Sequence, residues 1–441
     1  MLKRKAMDHL LKWKENPNRK SLIVDGARQV GKTYLVRQFA RENFPVFIEL
    51  NFLEDDSLKS VFSGPLDADA ILTGIKFARP HHQILPGETL IFLDEVQECP
   101  EAITALKFLS QDARFDVIAS GSALGMAYRQ ATSFPVGFVD YLDMVPLDFE
   151  EYLWALKIDP EAIAFVKSCF ESRSSVPQGI HQKMMGYLRQ YLSIGGMPEA
   201  VELFSATGDY LQTDVLLRNI YRSYITDIAH YAPPEIKVKA EKCYKSIPLQ
   251  LSKENHKFQY KTIENKGTAR KFETSIDWLT NAHVADAVQN VASVEIPLKA
   301  YAREDNFRLY MNDIGLLVST YGYELKKSIL EDNNLEEKAE NLVLRVAKGG
   351  LYEALAADML HKNGHTLYFY RNESGTIELE FFLENQDGII PIEIKAGRRK
   401  SSSLDHILEQ PNILYGYKMS SQNVGVFGKK ITLPLYMLMF L

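Results

Sequence analysis

Cysteine is scarce in this chain: Cys99, Cys169 and Cys243 are the only three, each far from the others, so neither a disulfide framework nor a zinc-ligand spacing follows. Long hydrophobic runs are missing as well. No stretch approaches the ~20 apolar residues that a membrane-spanning helix needs. The N-terminus scatters Lys3, Arg4, Lys5, Lys12 and Lys14 among apolar residues and lacks the continuous apolar segment and cleavage site of a secretory signal. Nor does one sign of charge dominate, with 57 acidic and 51 basic side chains and a net charge of −6. Hydrophobic content of 46% and charged content of 24% are ordinary for globular chains. A length of 441 residues exceeds one typical core, so three or four units are expected, in a cytoplasmic protein with no membrane partner.

Against this ordinary background one string stands out. Gly26, Ala27, Arg28, Gln29, Val30, Gly31, Lys32 and Thr33 satisfy GxxxxGK[ST] at every required position. The apolar run Ser21–Val24 precedes it, and Tyr34–Ala40 follows with helical apolar spacing, giving strand, loop and helix. The glycines allow a tight turn that brings backbone amides close to an anion, and the following helix N-terminus adds its positive dipole. Lys32 is then expected to reach the outer phosphates of ATP, and the Thr33 hydroxyl to help hold Mg²⁺.

A second signal supports the first. Thr89–Leu93 is an apolar run ending in Asp94 and Glu95, as expected of a buried parallel strand whose carboxyl end faces a ligand crevice. Asp94 suits Mg²⁺ held through water, and Glu95 suits a residue that orients or deprotonates the attacking water. The next buried run, Val117–Ala119, ends in Ser120, Gly121 and Ser122. Either serine could sense the terminal phosphate, and a plain turn of small residues is an equal alternative.

The strings GARQVGKT at 26 to 33, IFLDEVQECP at 91 to 100, VIASGSALG at 117 to 125, SFPVGFVDYL at 133 to 142 and GGMPEA at 195 to 200 resemble the prokaryotic AAA-type ATP-binding proteins that carry a C-terminal domain of unknown function. The resemblance extends over nearly the whole chain. It implies an AAA ATPase core, a helical lid, a winged-helix segment and a restriction-endonuclease-like module. One departure is Phe138, at a position that is often basic in that family. No arginine finger is therefore assigned there.

The expected architecture is α/β: a P-loop AAA-type core at 1–155, a helical lid at 156–234, a winged-helix-like domain at 235–330 and a restriction-endonuclease-like domain at 341–441. Within the lid, Leu188, Tyr191 and Leu192 before Gly195 and Gly196 predict a helix ended by glycine, with Pro198 starting the next. Arg189, Arg218 and Arg222 could reach phosphate from there, although solvated helix faces account for each of them more simply. From Lys237 to Lys271 ten Lys or Arg residues stand against Glu241, Glu254 and Glu264, a local net of +7. Such an island is the usual footprint of contact with a phosphate backbone. Ala269, Phe272, Ile276 and Leu279 would face a core and leave Arg270, Lys271, Thr274 and Ser275 toward solvent or a DNA groove. Winged helices also serve as protein docking modules, so DNA and a protein partner both stay open. The oligomeric state is not readable.

Residues 331 to 340 read as an acidic linker. Beyond them, the helical stretch Leu342–Leu360 carries Glu353, and two strands around a turn at Asp387 and Gly388 carry Glu380, Glu393 and Lys395. Period two puts Glu393 and Lys395 on one face. Acid, acid, then Glu-x-Lys is the arrangement by which restriction-endonuclease-like enzymes bind Mg²⁺, with Glu380 where aspartate is usual. A solvated strand face of opposite charges gives the same pattern. Arg398, Arg399 and Lys400 could contact a phosphate backbone or form a polar loop.

Overall fold

The strands Ser21–Asp25 (β1) and Thr89–Asp94 (β3) are buried along their whole length, which only a sheet covered on both faces permits. With Val46–Asn51 (β2), Asp116–Ser120 (β4) and Val139–Asp143 (β5) they form a parallel sheet in the order β2-β3-β4-β1-β5. The computed structural model describes residues 2–80, 83–122, 135–331, 342–386, 388–395 and 402–441. Arg398, Arg399, Lys400, Asp387, the acidic segment from Asp332 to Glu340, and parts of two resemblance strings (123–125 and 133–134) lie outside the described residues.

The chain divides into two units. The first comprises 3–145 with 281–283, and the second 146–280 and 284–441 with Leu2. In the first, the helices Lys5–Glu15, Lys32–Asn43, Ala68–Ala78 and Pro100–Leu109 accompany the parallel sheet. One part of its core runs from Ile23, Ile48 and Leu50 through Ile91, Leu93 and Val117 to Leu106 and Phe115. Parallel strands present all their carboxyl ends on one edge, so Asp25, Asn51, Asp94 and Ser120 end together. The order matters for the site. Because β4 lies between β1 and β3, its last residue stands between the phosphate loop and Asp94.

In the second unit the helices Pro160–Glu171, Gln178–Ile194, Pro198–Thr207 and Tyr210–Tyr231 fill the stretch expected to be helical, and Gly195 caps the second of them at φ 72°. The glycine pair has a physical reason. A Cβ on Gly195 would lie 2.1 Å from Asp313 Oδ1, and one on Gly196 would lie 1.9 Å from the Leu147 carbonyl oxygen. Asp313 accepts from the Gly196 amide at 2.6 Å and caps the helix Ile314–Ser319 through Gly315 and Leu316. Lys362 closes the cluster, 3.0 Å from Asp313 and 2.8 Å from Asp358.

The strands Ala285–Val291 (β6) and Ala302–Met311 (β7), in the segment expected to be winged-helix-like, pair antiparallel. They belong to one sheet with Tyr368–Arg371 (β8), Glu378–Asn385 (β9), Gly388–Ile394 (β10), Gly416–Ser420 (β11), Gly425–Phe427 (β12) and Lys430–Pro434 (β13), in the order β12-β13-β11-β10-β9-β8-β6-β7. The helix Ala269–Asn281 buries Phe272, Ile276 and Leu279 as expected, but it also buries Ser275 and Trp278. The expectation of an outward Ser275 is corrected: it lies three residues after Phe272 and four before Leu279, which places it within the apolar stripe. Arg270 and Thr274 are exposed, while Lys271 pairs with Glu264 at 2.7 Å.

Candidate nucleotide and metal site

The loop between β1 and the helix Lys32–Asn43 turns where side chains would not fit. Gly26, at φ 148°, could not carry a Cβ, which would meet the Met144 carbonyl oxygen at 2.1 Å. Gly31, at φ 93°, caps the helix from the left-handed region. The loop is anchored from outside its own sequence. Asp25 accepts from the Gly26 amide at 2.7 Å and meets His283 Nε2 at 3.2 Å, while Arg4 donates to the Val30 carbonyl at 3.0 Å. Gln29 also adopts a positive φ, of 63°, and Tyr34 stands exposed on the first helical turn.

Lys32 is buried, and its ammonium donates to the carbonyls of Gly26 at 2.8 Å and Ala27 at 2.7 Å. Burial pulls its pKa down to about 8, against the opposing attraction of Glu95, Asp25 and Asp94. Among the described residues no carboxylate lies within ion-pair distance of this ammonium.

Asp94 gathers the neighbouring hydroxyls and amide. Thr33 Oγ1 donates toward its carboxylate at 3.0 Å, Asn51 Nδ2 donates at 3.0 Å, and Ser120 donates through a short hydrogen bond. Burial raises its pKa, with the Ser120 hydrogen bond opposing. Of the two serines left open by the sequence, Ser120 therefore touches Asp94. Ser122 instead accepts from Arg28 Nε at 3.3 Å and donates its backbone N–H to Gln97 Oε1 at 3.3 Å. Gln97 in turn donates to Glu95, which holds φ 56° and opens the short 3₁₀ turn Val96–Glu98.

Sequence reasoning did not assign Asn51, Gln97, Arg4 or His283 to the site. Asn51 ends its strand in direct register with Asp94. The donor set of Thr33 and Asp94 is all oxygen, which fits a hard cation held by one or two protein ligands, water and phosphate. Phe138 lies under the Lys107 ammonium at 5.4 Å from its ring centre, and Arg218 pairs with Asp214 at 2.8 Å.

In the second unit Glu393 is buried, with Oε1 at 3.2 Å from Lys395, while its Oε2 has no hydrogen-bond partner. Glu380 accepts from the Ile394 amide at 3.2 Å and lies 3.9 Å from Lys395. Burial, with Glu353 and Glu393 nearby, pushes its pKa up to about 7 against the pull of Lys395. Glu353 is committed elsewhere. Arg308 at 2.7 Å and Tyr310 both donate to its Oε1, and His256 sits 2.7 Å from its Oε2. Burial would raise the Glu353 pKa, but Arg308 and His256 hold it at about 2. Among the described residues no group of three or more His, Cys, Asp or Glu side chains is arranged to hold a metal ion. Glu380 and Glu393 remain as a pair of carboxylates with spare oxygens.

Residues 18–153 match the family model of an AAA domain. The first unit thus carries an ATPase-like P-loop domain of AAA type. Residues 185–327 and 348–433 match two further models, each described as a domain of unknown function, DUF8612 and DUF4143. No curated protein matches the sequence. Among solved structures, a Walker-type ATPase of Pyrococcus abyssi is similar at 14% identity and TM-score 0.45, over 72% of this chain and 95% of that one. The Aeropyrum pernix ORC1 protein in complex with DNA is similar at 12% identity and TM-score 0.30, over 75% and 93%. Drosophila ORC bound to DNA is similar at 13% identity and TM-score 0.24, over 75% and 95%. Similarities this distant transfer no function. Among the described residues, no helix is long and apolar enough to cross a membrane.

Proposed function

We propose that the AAA-type domain binds Mg²⁺–ATP and hydrolyses it. The observation that carries this reading is Lys32, a buried ammonium at a helix N-terminus whose hydrogen bonds go to loop carbonyls and to no carboxylate. An anion reaching the loop would take over those hydrogen bonds and supply the missing counter-charge. Thr33 and Asp94 would hold Mg²⁺, which when bound neutralises charge on the phosphate oxygens. The amides of the loop through Lys32 position the phosphates, Ser120 and Asn51 fix the Asp94 carboxylate, and Glu95 orients the attacking water and takes its proton. The test is ATP turnover with and without DNA, using Lys32→Ala as control. Turnover retained in that variant would sink the reading.

A second element of the proposal concerns the sheet β6–β13. The unpartnered Glu393 Oε2 beside Glu380 and Lys395 favours a two-carboxylate Mg²⁺ site on a nuclease-like module, with Glu353 left out because its oxygens are taken. ATP would then be the switch and DNA, met through the basic island at 237–271, the partner. DNA cleavage that persists in Glu393→Ala and Lys395→Ala would exclude this site. Absence of DNA binding even at low salt would leave a nucleotide-controlled scaffold that recruits a protein.

A further inference from the structure

The residues around Glu95 form a chain that the hydrolysis reading does not itself require. Arg28 lies in the phosphate loop, and its Nε donates to the Ser122 hydroxyl at 3.3 Å. The backbone N–H of the same Ser122 donates to Gln97 Oε1 at 3.3 Å, and the other end of that amide, Nε2, donates to Glu95 Oε2. An amide side chain has one accepting and one donating end. With Oε1 committed to Ser122, Gln97 can only offer Glu95 a donor, and the flipped amide would lose both contacts. Glu95 sits in the left-handed region at φ 56°, a conformation uncommon for a residue other than glycine. Gln97 thus binds one carboxylate oxygen of Glu95, Oε2. Ser122 is buried, so its two contacts are made in a fixed place.

We propose that Gln97 is a positioning residue that aims Glu95, and that Ser122 and Arg28 tie this aim to the state of the phosphate loop. Loop occupancy acts on Arg28, the Ser122 contact passes the change to Gln97, and Gln97 turns the carboxylate toward or away from the water. The proposal rests on the hydrolysis reading above, in which Glu95 acts on water.

The experiment measures kcat for ATP turnover and, separately, the equilibrium Kd for Mg²⁺–ATP in the full chain and four variants: Gln97→Met, Gln97→Asn, Ser122→Ala and Ser122→Ala with Gln97→Met, beside Glu95→Gln. Gln97→Met keeps side-chain length and removes the amide. A misdirected catalytic group should lower kcat about tenfold to a hundredfold. The Kd should stay within about twofold, which also reports a folded loop. Gln97→Asn keeps the amide on a shorter stem and should recover part of the loss. If the three residues act as one chain, the double variant should be no slower than Gln97→Met alone. Wild-type kcat in Gln97→Met while Glu95→Gln is inactive overturns the proposal and leaves the hydrolysis reading intact. So does a parallel loss of kcat and affinity, which would mark Gln97 as structural. Losses that simply multiply in the double variant would overturn the link from Arg28 through the Ser122 hydroxyl, the group that Ser122→Ala removes. Full turnover in Glu95→Gln would instead overturn the hydrolysis reading and this proposal with it.

Discussion

Lys32 and Lys362 are both buried lysines, yet their surroundings drive them in opposite directions. Lys32 donates to the Gly26 and Ala27 carbonyls, and burial lowers its pKa to about 8. Lys362 lies between Asp313 and Asp358 with the Tyr191 hydroxyl at 3.0 Å, and although burial alone would lower its pKa, the two aspartates raise it. The first ammonium has no carboxylate within ion-pair distance among the described residues, and the second has two. A buried charge that the fold itself completes belongs to the architecture. One that the fold leaves incomplete is held ready for a ligand.

The largest effect should fall on the completed cluster. Lys362→Met leaves Asp313 and Asp358 buried without their cation and should cost roughly 3–5 kcal/mol in urea unfolding. A loss near zero would show that the two lysines do not differ in this way. The Arg308–Glu353 cluster is also self-paired, and it makes a prediction in acid. Because the Glu353 pKa is depressed to about 2, its contribution is present above its unfolded value and lost as pH falls toward 2. The stability gap between wild type and Glu353→Gln should therefore be open at pH 5, at roughly 3 kcal/mol, and close as the pH approaches 2.

Effects on the incomplete charge should be smaller in stability and visible in binding. Lys32→Met should weaken ATP binding by roughly tenfold to a hundredfold, the range of a hydrogen bond to a charged group. Its urea midpoint should hold or rise, because a buried charge without a counter-ion is removed. The smallest effect is that of pH on the wild type. The folded pKa of Lys32 is lowered, so burying its charge opposes folding below about 8, and that penalty is relieved as pH rises from about 8 to 10.5. ATP favours the charged form, so affinity should be flat below pH 8 and roughly tenfold weaker per pH unit above it. A flat profile to pH 9.5 would place the lysine outside the phosphate contact.

The same contrast explains what the sequence made legible. The phosphate loop and the acid pair Asp94 and Glu95 are local strings, and the strands β1, β3 and β4 and the helix after the loop follow from apolar runs and spacing. The partners are set by register across the sheet. Asn51 stands opposite Asp94 only because β2 and β3 are paired strand to strand, and Ser120 reaches Asp94 only because β4 is inserted between β1 and β3. Gln97 was adjacent in sequence but unassigned, since nothing local marks a glutamine in a 3₁₀ turn as a contact of Glu95. In the second unit β9 and β10 were legible from the sequence, while β8, β11, β12 and β13 were not assigned. That β6 and β7 join β8–β13 was not legible, because β6 pairs with β8 across a separation of about eighty residues that no local pattern encodes. Glu353 was correctly placed on a helix, but Arg308, which takes its carboxylate, comes from that same distant strand pair.

The most direct test of the central claim is calorimetric titration of Mg²⁺–ATP at pH 7 into wild type and Lys32→Met, with urea unfolding of both proteins alongside. A buried lysine without an ion-pair partner predicts saturable binding to the wild type, a loss of roughly tenfold or more in the variant, and no loss of stability. Equal ATP affinity in the two proteins, or a variant that unfolds as readily as Lys362→Met, would contradict it.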